Sequence, residues 1–257
     1  MHAIVMYSGG IGSWAAGLRV AERYGKDQTT LLFCDTRQED EDLYRFLLEG
    51  AAVIGVPVTV IADGRTPWDV FKDERYLGNH RIDPCSKILK RHLADQWIAA
   101  RYGPEDCIRF VGMDYCQREQ VRLETLQQRC APYQVEAPLF WPPVWDKDMA
   151  KLVALKHELR LPRLYALGFN HNNCGGACVK AGQEQWATLY RTMPQRYAEQ
   201  EAKEEALRAF LGKDVSILRD RSGGKSRPLT LRTFAARLEE HPELPLEGES
   251  HACQCFT

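Results

Sequence analysis

Ala3-Ile4-Val5-Met6-Tyr7-Ser8-Gly9-Gly10-Ile11-Gly12-Ser13 is the stretch on which the reading of this chain turns. Ala3 to Tyr7 is a short apolar run that ends at Ser-Gly-Gly. From Ser13 to Tyr24, Trp14, Ala15, Leu18 and Ala21 recur at helical spacing. The pattern is strand, tight turn, helix.

The same alternation continues outward. Thr29 to Cys34 reads as a buried strand, Glu41 to Ile54 as a helix with Leu43, Phe46, Leu47 and Val53 on one face, and Val56 to Ile61 as a third strand. Thr66 to Asp83 is polar and reads as irregular. Ser86 to Ala100 restores a helical pattern, Cys107 to Gly112 makes a fourth strand, and a helix is expected near Glu119 to Gln128. Pro132 to Pro143 reads as a structured loop, Lys147 to Leu159 as a helix, Val179 to Phe210 as helical apart from Pro194, and Leu229 to Glu240 as a last helix.

Strands alternating with helices predict a parallel sheet. The expected fold class is α/β, a doubly wound, mainly parallel, Rossmann-like sheet with a helical, cysteine-containing C-terminal part. The expected division is 1–160 for the nucleotide-binding domain and 161–257 for the helical region.

A Gly-rich turn entering a helix N-terminus offers converging N–H donors and the positive end of the helix dipole, which is what a phosphate needs. Gly9 and Gly10 keep Cβ atoms away from the anion, and Ser8 and Ser13 add hydroxyls on one side of the turn. Ser222-Gly223-Gly224-Lys225-Ser226 imitates a Walker A loop, but Arg219 stands where that motif requires its first glycine.

Tyr7-Ser8-Gly9-Gly10-Ile11-Gly12-Ser13-Trp14 resembles the SGGxxS pyrophosphate loop of the adenine nucleotide α-hydrolase-like (PP-loop) superfamily. Two further segments resemble its phosphoadenosine phosphosulfate (PAPS) reductase-like members: Phe33-Cys34-Asp35-Thr36 with Glu41, Tyr44 and Phe46, and Pro84-Cys85-Ser86-Lys87-Ile88-Leu89-Lys90. The resemblance covers about residues 3 to 130. It implies that Ser8, Gly9, Gly10, Ile11, Gly12 and Ser13 hold phosphates, that Asp35 and Thr36 face the nucleoside, and that Cys85, Lys87 and Lys90 are catalytic. Many members carry SGGxDS, whereas Gly12 takes the acidic position here and removes a magnesium-orienting carboxylate from it. The implied nucleotide is ATP, with Mg²⁺ as companion, or PAPS or adenylyl sulfate.

Nine cysteines in a chain without a signal-peptide pattern point to thiols, metal ligands or redox groups in a cytoplasmic protein rather than to disulfides. Cys174 and Cys178 lie four apart, and Cys253 and Cys255 two apart near the end. Two such pairs suit tetrahedral Zn²⁺ or a [4Fe–4S] cluster, with Cys85 as a replacement ligand. Iron–sulfur members of the superfamily favour the cluster. Cys253 and Cys255 also fit a redox dithiol, but HACQCFT lacks the reductase family's cysteine segment. The remaining Cys34, Cys107, Cys116 and Cys130 read as packing residues.

A formal net charge of −1 excludes a chain that is basic throughout. Hydrophobic residues at 44% supply a core without any apolar run long enough for a membrane helix, so no membrane partner is expected. Lys213 to Arg237 is locally basic, with seven cations against Asp214 and Asp220, and suits a nucleic-acid backbone.

The leading expectation is an ATP-dependent adenylating enzyme supporting sulfur transfer to an acceptor such as nucleic acid, served by a sulfur donor or redox protein. The alternatives are a sulfonucleotide reductase and a non-catalytic nucleotide-binding subunit of a larger system.

Overall fold

A computed structural model describes residues 1–222 and 224–241. Strands β1 (His2–Met6), β2 (Thr29–Cys34), β3 (Val58–Ile61), β4 (Cys107–Phe110) and β5 (Gln134–Glu136) form one parallel sheet in the order β3-β2-β1-β4-β5. β1 lies at its centre, pairing Ala3 with Thr29 on one side and with Ile108 on the other.

Because side chains alternate along a strand, each strand feeds two cores. Ala3, Val5, Leu31, Phe33, Ile108 and Phe110 face α1 (Ile11–Tyr24), α2 (Glu41–Ile54) and α6 (Lys147–Lys156). Ile4, Met6, Leu32 and Cys34 face α4 (84–99) and α5 (Gln117–Cys130) on the opposite side. Helices on both faces of a parallel sheet make a Rossmann-like α/β fold. Among the described residues no helix is long and apolar enough to cross a membrane.

A third cluster joins Phe71 and Leu77 to residues from α7 (Arg163–Ala166), α8 (Gln183–Thr192), α9 (Pro194–Leu211) and α10 (Leu231–Glu240), around the fully buried Trp186. A small antiparallel hairpin of β6 (Leu218–Asp220) and β7 (Arg227–Leu229) packs here. Glu204, fully buried on α9, accepts the N–H groups of Ile217 and Leu231 at 2.9 and 2.6 Å, tying hairpin and helix to one carboxylate.

Four local expectations change. Thr66 to Asp83 is not all irregular, since α3 (Pro67–Asp73) begins in a capping box between Thr66 and Asp69 with Pro67 in its first turn. Pro132 to Pro143 contributes β5, whose three residues are too few to show periodicity. Helix α4 includes a π-helical segment, Lys87–His92. Arg227–Leu229 forms β7, so α10 starts at Leu231 rather than at Leu229.

Candidate functional site

The parallel strands fan away from a switch point between β1 and β4, where successive connections leave on opposite faces. A crevice opens at the carboxyl ends of the strands at such points. The Ser8–Ser13 loop after β1 and the Gly112–Asp114 loop after β4 both line it.

Within the first loop Gly9 has φ +76°, and a Cβ there would lie 2.7 Å from Leu43 Cγ. Only glycine makes this turn without strain. The Ser13 hydroxyl donates to Gly10 O at 2.9 Å and accepts the Ser8 N–H at 3.1 Å and the Ser8 hydroxyl at 3.3 Å. Ser13 therefore shapes the loop from inside, while Gly10 caps α1 with no side-chain hydrogen bond to the first-turn N–H groups. The Ile11 N–H donates to Tyr165 Oη at 3.1 Å, and Asn172 Nδ2 donates to Gly9 O at 2.9 Å.

Gly12 and Gly112 touch backbone to backbone. A Cβ on Gly112 would collide with Gly12 and Ser13, and one on Gly12 would lie 2.7 Å from Gly112 O and 3.2 Å from Asp114 Oδ1. The two loops can meet only because both positions lack side chains.

The cavity between them, about 120 Å³, is walled further by Glu119, Arg122, Lys147, Tyr165 and Asn170 to Asn173. Burial raises the Asp114 carboxyl above the ordinary carboxylate range, an effect opposed by Lys147. Burial likewise lowers the Lys147 ammonium, which the Asp114 charge opposes. Lys147 donates to Asn170 O and stands 5.2 Å from the Tyr165 ring centre. Arg122 pairs with Glu119. Two carboxylates and two cations thus meet a loop of N–H donors, a combination suited to a metal-bound polyphosphate. The Oδ1 atoms of Asn172 and Asn173 are buried with no hydrogen-bond partner among the described residues, and both side chains belong to this wall. Such acceptors call for a hydroxyl, amine or water.

Met6 and Val111 also line a neighbouring cavity of about 530 Å³. Lys87, Arg91, Arg109 and Arg129 give it a basic wall beside Tyr133. Arg109 pairs with Asp95 and stacks 4.5 Å from the Tyr133 ring centre.

A small third cavity, about 20 Å³, brings together Cys85, Cys174 and Cys178 with Thr36 and Lys90. Cys174 has φ +54°, as does Gly175, and Gly176 has φ +82°, so the backbone turns tightly behind the thiol. Glu39 anchors this turn by accepting the Cys174 N–H and the Thr36 hydroxyl, the latter at 3.0 Å, and it pairs with buried Lys90 at 3.5 Å. Three thiols suit a thiophilic metal centre by donor chemistry. Among the described residues no three His, Cys, Asp or Glu side chains are grouped within reach of one metal ion.

The structure thus sorts the residues singled out in the sequence. Ser8 and Gly10 to Ser13 line the loop cavity, and Gly9 forms its turn. Asp35 directly follows β2 but accepts the Arg37 N–H and the Tyr44 hydroxyl, both at 2.8 Å, and lines neither the loop cavity nor its neighbour. Thr36, Cys85 and Lys90 belong to the cysteine cavity, and Lys87 to the 530 Å³ cavity. Cys174 joins Cys178 and Cys85, whereas Cys253 and Cys255 lie outside the described residues. Asp114, Glu119, Arg122, Lys147 and Tyr165 escaped the sequence reading. Asp114 alone had a signal, its place just after β4. No protein-family model matches this chain, and no curated protein matches it.

Proposed function

We propose that the chain is a PAPS reductase-like PP-loop enzyme that binds ATP and activates an acceptor by adenylation in support of sulfur transfer. One observation carries this reading: the glycine contact at the switch point brings Asp114 beside Gly12, returning a carboxylate to the place where SGGxDS loops carry theirs.

In this reading the loop N–H groups and Lys147 would hold the β- and γ-phosphates, and Asp114 with Glu119 would hold Mg²⁺. At about 120 Å³ the loop cavity is sized for phosphates, so the nucleoside extends past Met6 and Val111 into the larger cavity, where Lys87 stands. Asp35 then braces Tyr44 and the loop after β2 rather than the nucleoside. An acceptor oxygen attacks the α-phosphorus, the α–β anhydride bond breaks, and pyrophosphate leaves as its charge is held by the loop and Lys147. Sulfur attack on the adenylated acceptor would then expel AMP. Cys174 and Cys178, with Cys253 and Cys255 outside the described residues and Cys85 as replacement ligand, would by their thiolate chemistry take an iron–sulfur cluster in preference to zinc, and such a cluster would supply or position sulfur. Glu39, paired with Lys90, anchors the Cys174 turn.

The basic wall of the 530 Å³ cavity also suits a phosphosulfate, which favours the sulfonucleotide reductase as second reading. Anaerobically purified protein should bind ATP and release pyrophosphate when acceptor is present. Sulfite release from PAPS or adenylyl sulfate, with no pyrophosphate from ATP, selects the reductase instead. Absence of ATP binding by calorimetry overturns the adenylation reading.

A further inference from the structure

Away from the loop cavity, a groove of about 570 Å³ runs between residues 75–82, which follow α3, and residues between Leu211 and Ser226 on and around β6. Its wall contains Arg75, Arg81, Lys213, Arg219 and Arg221 and no aspartate or glutamate. Among the described residues none of these five has a carboxylate within ion-pair distance. The neutral oxygens of Ser226 hold the Arg219 guanidinium at 3.1 and 3.2 Å, fixing its direction without cancelling its charge.

The charges come from two chain segments that face each other, so sequence counting over 213–237 sees only one wall. His80 stands between the walls with its Nε2 3.2 Å from an Arg221 nitrogen. Its imidazole pKa is lowered by burial and then by Arg221, Arg81, Arg219 and Lys180, the response of a titratable group inside a positive field. Tyr76 and Ile82 expose apolar surface in the same wall.

The groove also has a direction. Ile82 lines it, the next residue, Asp83, lines the cysteine cavity, and Lys180, whose charge reaches His80, lines that cavity too. Cations spaced along a groove, with an exposed aromatic ring, suit a flexible polyanion with bases able to stack.

We propose that this groove binds the backbone of a single-stranded nucleic acid and leads it toward the cavity of Cys85, Cys174 and Cys178. The inference names an acceptor class for the reaction proposed above, but backbone binding itself does not require that reaction.

The test is fluorescence anisotropy of the full chain with a labelled thymidine 20-mer, beside calorimetric ATP binding. With four phosphates contacted, affinity should fall about 50-fold between 50 and 200 mM salt, from a slope of roughly −0.7 per contact. Arg81→Glu with Arg221→Glu should weaken binding at least tenfold at 50 mM salt, and the milder Arg81→Gln/Arg221→Gln pair should weaken it less. Both should retain the wild-type melting profile and ATP affinity. Arg232→Glu, in the basic segment but outside the groove wall and paired with Glu201, should bind as wild type. No binding at 50 mM salt, unchanged binding by both groove variants, or equal loss from Arg232→Glu overturns the proposal. Capture by phosphatidylserine vesicles without oligonucleotide binding overturns it in favour of a membrane surface. Oligonucleotide binding with no ATP binding supports the groove and removes the adenylation reading alone.

Discussion

Asp114 and Gly12, far apart in sequence, share one place: a side chain begun at Gly12 would reach to 3.2 Å from the Asp114 carboxylate. The carboxylate missing from the loop arrives from the far side of the switch point, on β4's loop. Asp114→Asn should lower magnesium-dependent pyrophosphate release by about 10²- to 10³-fold, the scale of removing one charge-stabilising group. Because burial already disfavours the Asp114 charge, thermal stability should hold or rise. Unaltered turnover in Asp114→Asn removes the metal role.

Gly12→Asp should not act as a gain of function, although it writes the familiar SGGxDS string. The new Cβ would lie 2.7 Å from Gly112 O, and a second carboxylate would crowd Asp114. We expect a loss of about 1–3 kcal/mol in denaturant unfolding, the range for overpacking, and weaker ATP binding by calorimetry.

Tyr165 holds the Ile11 N–H that a phosphate oxygen would take. Tyr165→Phe should cost the empty protein about 1 kcal/mol and leave that donor open, tightening ATP about fivefold. Weaker ATP binding would mean that the hydroxyl contacts the nucleotide directly.

Glu39 serves Thr36, Lys90 and Cys174 together. Glu39→Ala strips buried Lys90 of this carboxylate, so chemical denaturation should show a loss of about 3–5 kcal/mol. Any metal or sulfide copurifying with the wild type should fall with it, because the Cys174 turn loses its anchor.

Glu204 supplies a pH test. Burial raises its pKa to about 6, from an ordinary 4.5. The folded state therefore binds more protons than the unfolded state between these values, and stability falls as pH rises through this window, by ~2 kcal/mol for this group. Below pH 4.5 the contribution is fully present. Unfolding in urea at pH 4.5 and 7 should show the difference, and Glu204→Gln should flatten it.

The first strand, the Ser-Gly-Gly turn, the helix after it and the alternation that follows were all legible in the chain, because period-2 and period-3.6 patterns and glycine's backbone freedom are local properties. α3 was legible too, in Thr66, Pro67 and Asp69, although its polarity masked it. β5 was not: three residues become a strand only when β4 offers them an edge.

The site divides in the same way. Sequence by itself determined the loop and the identity of the thiols and cations. Tertiary structure decided their company: Asp114 and Lys147 meet the loop, Cys85 joins Cys174 and Cys178, Lys90 turns inward to Glu39, and the hairpin cations acquire a facing wall. The reason is physical. A loop conformation is chosen by neighbours along the chain, but a charge or thiol acts through space, and folding alone sets those distances.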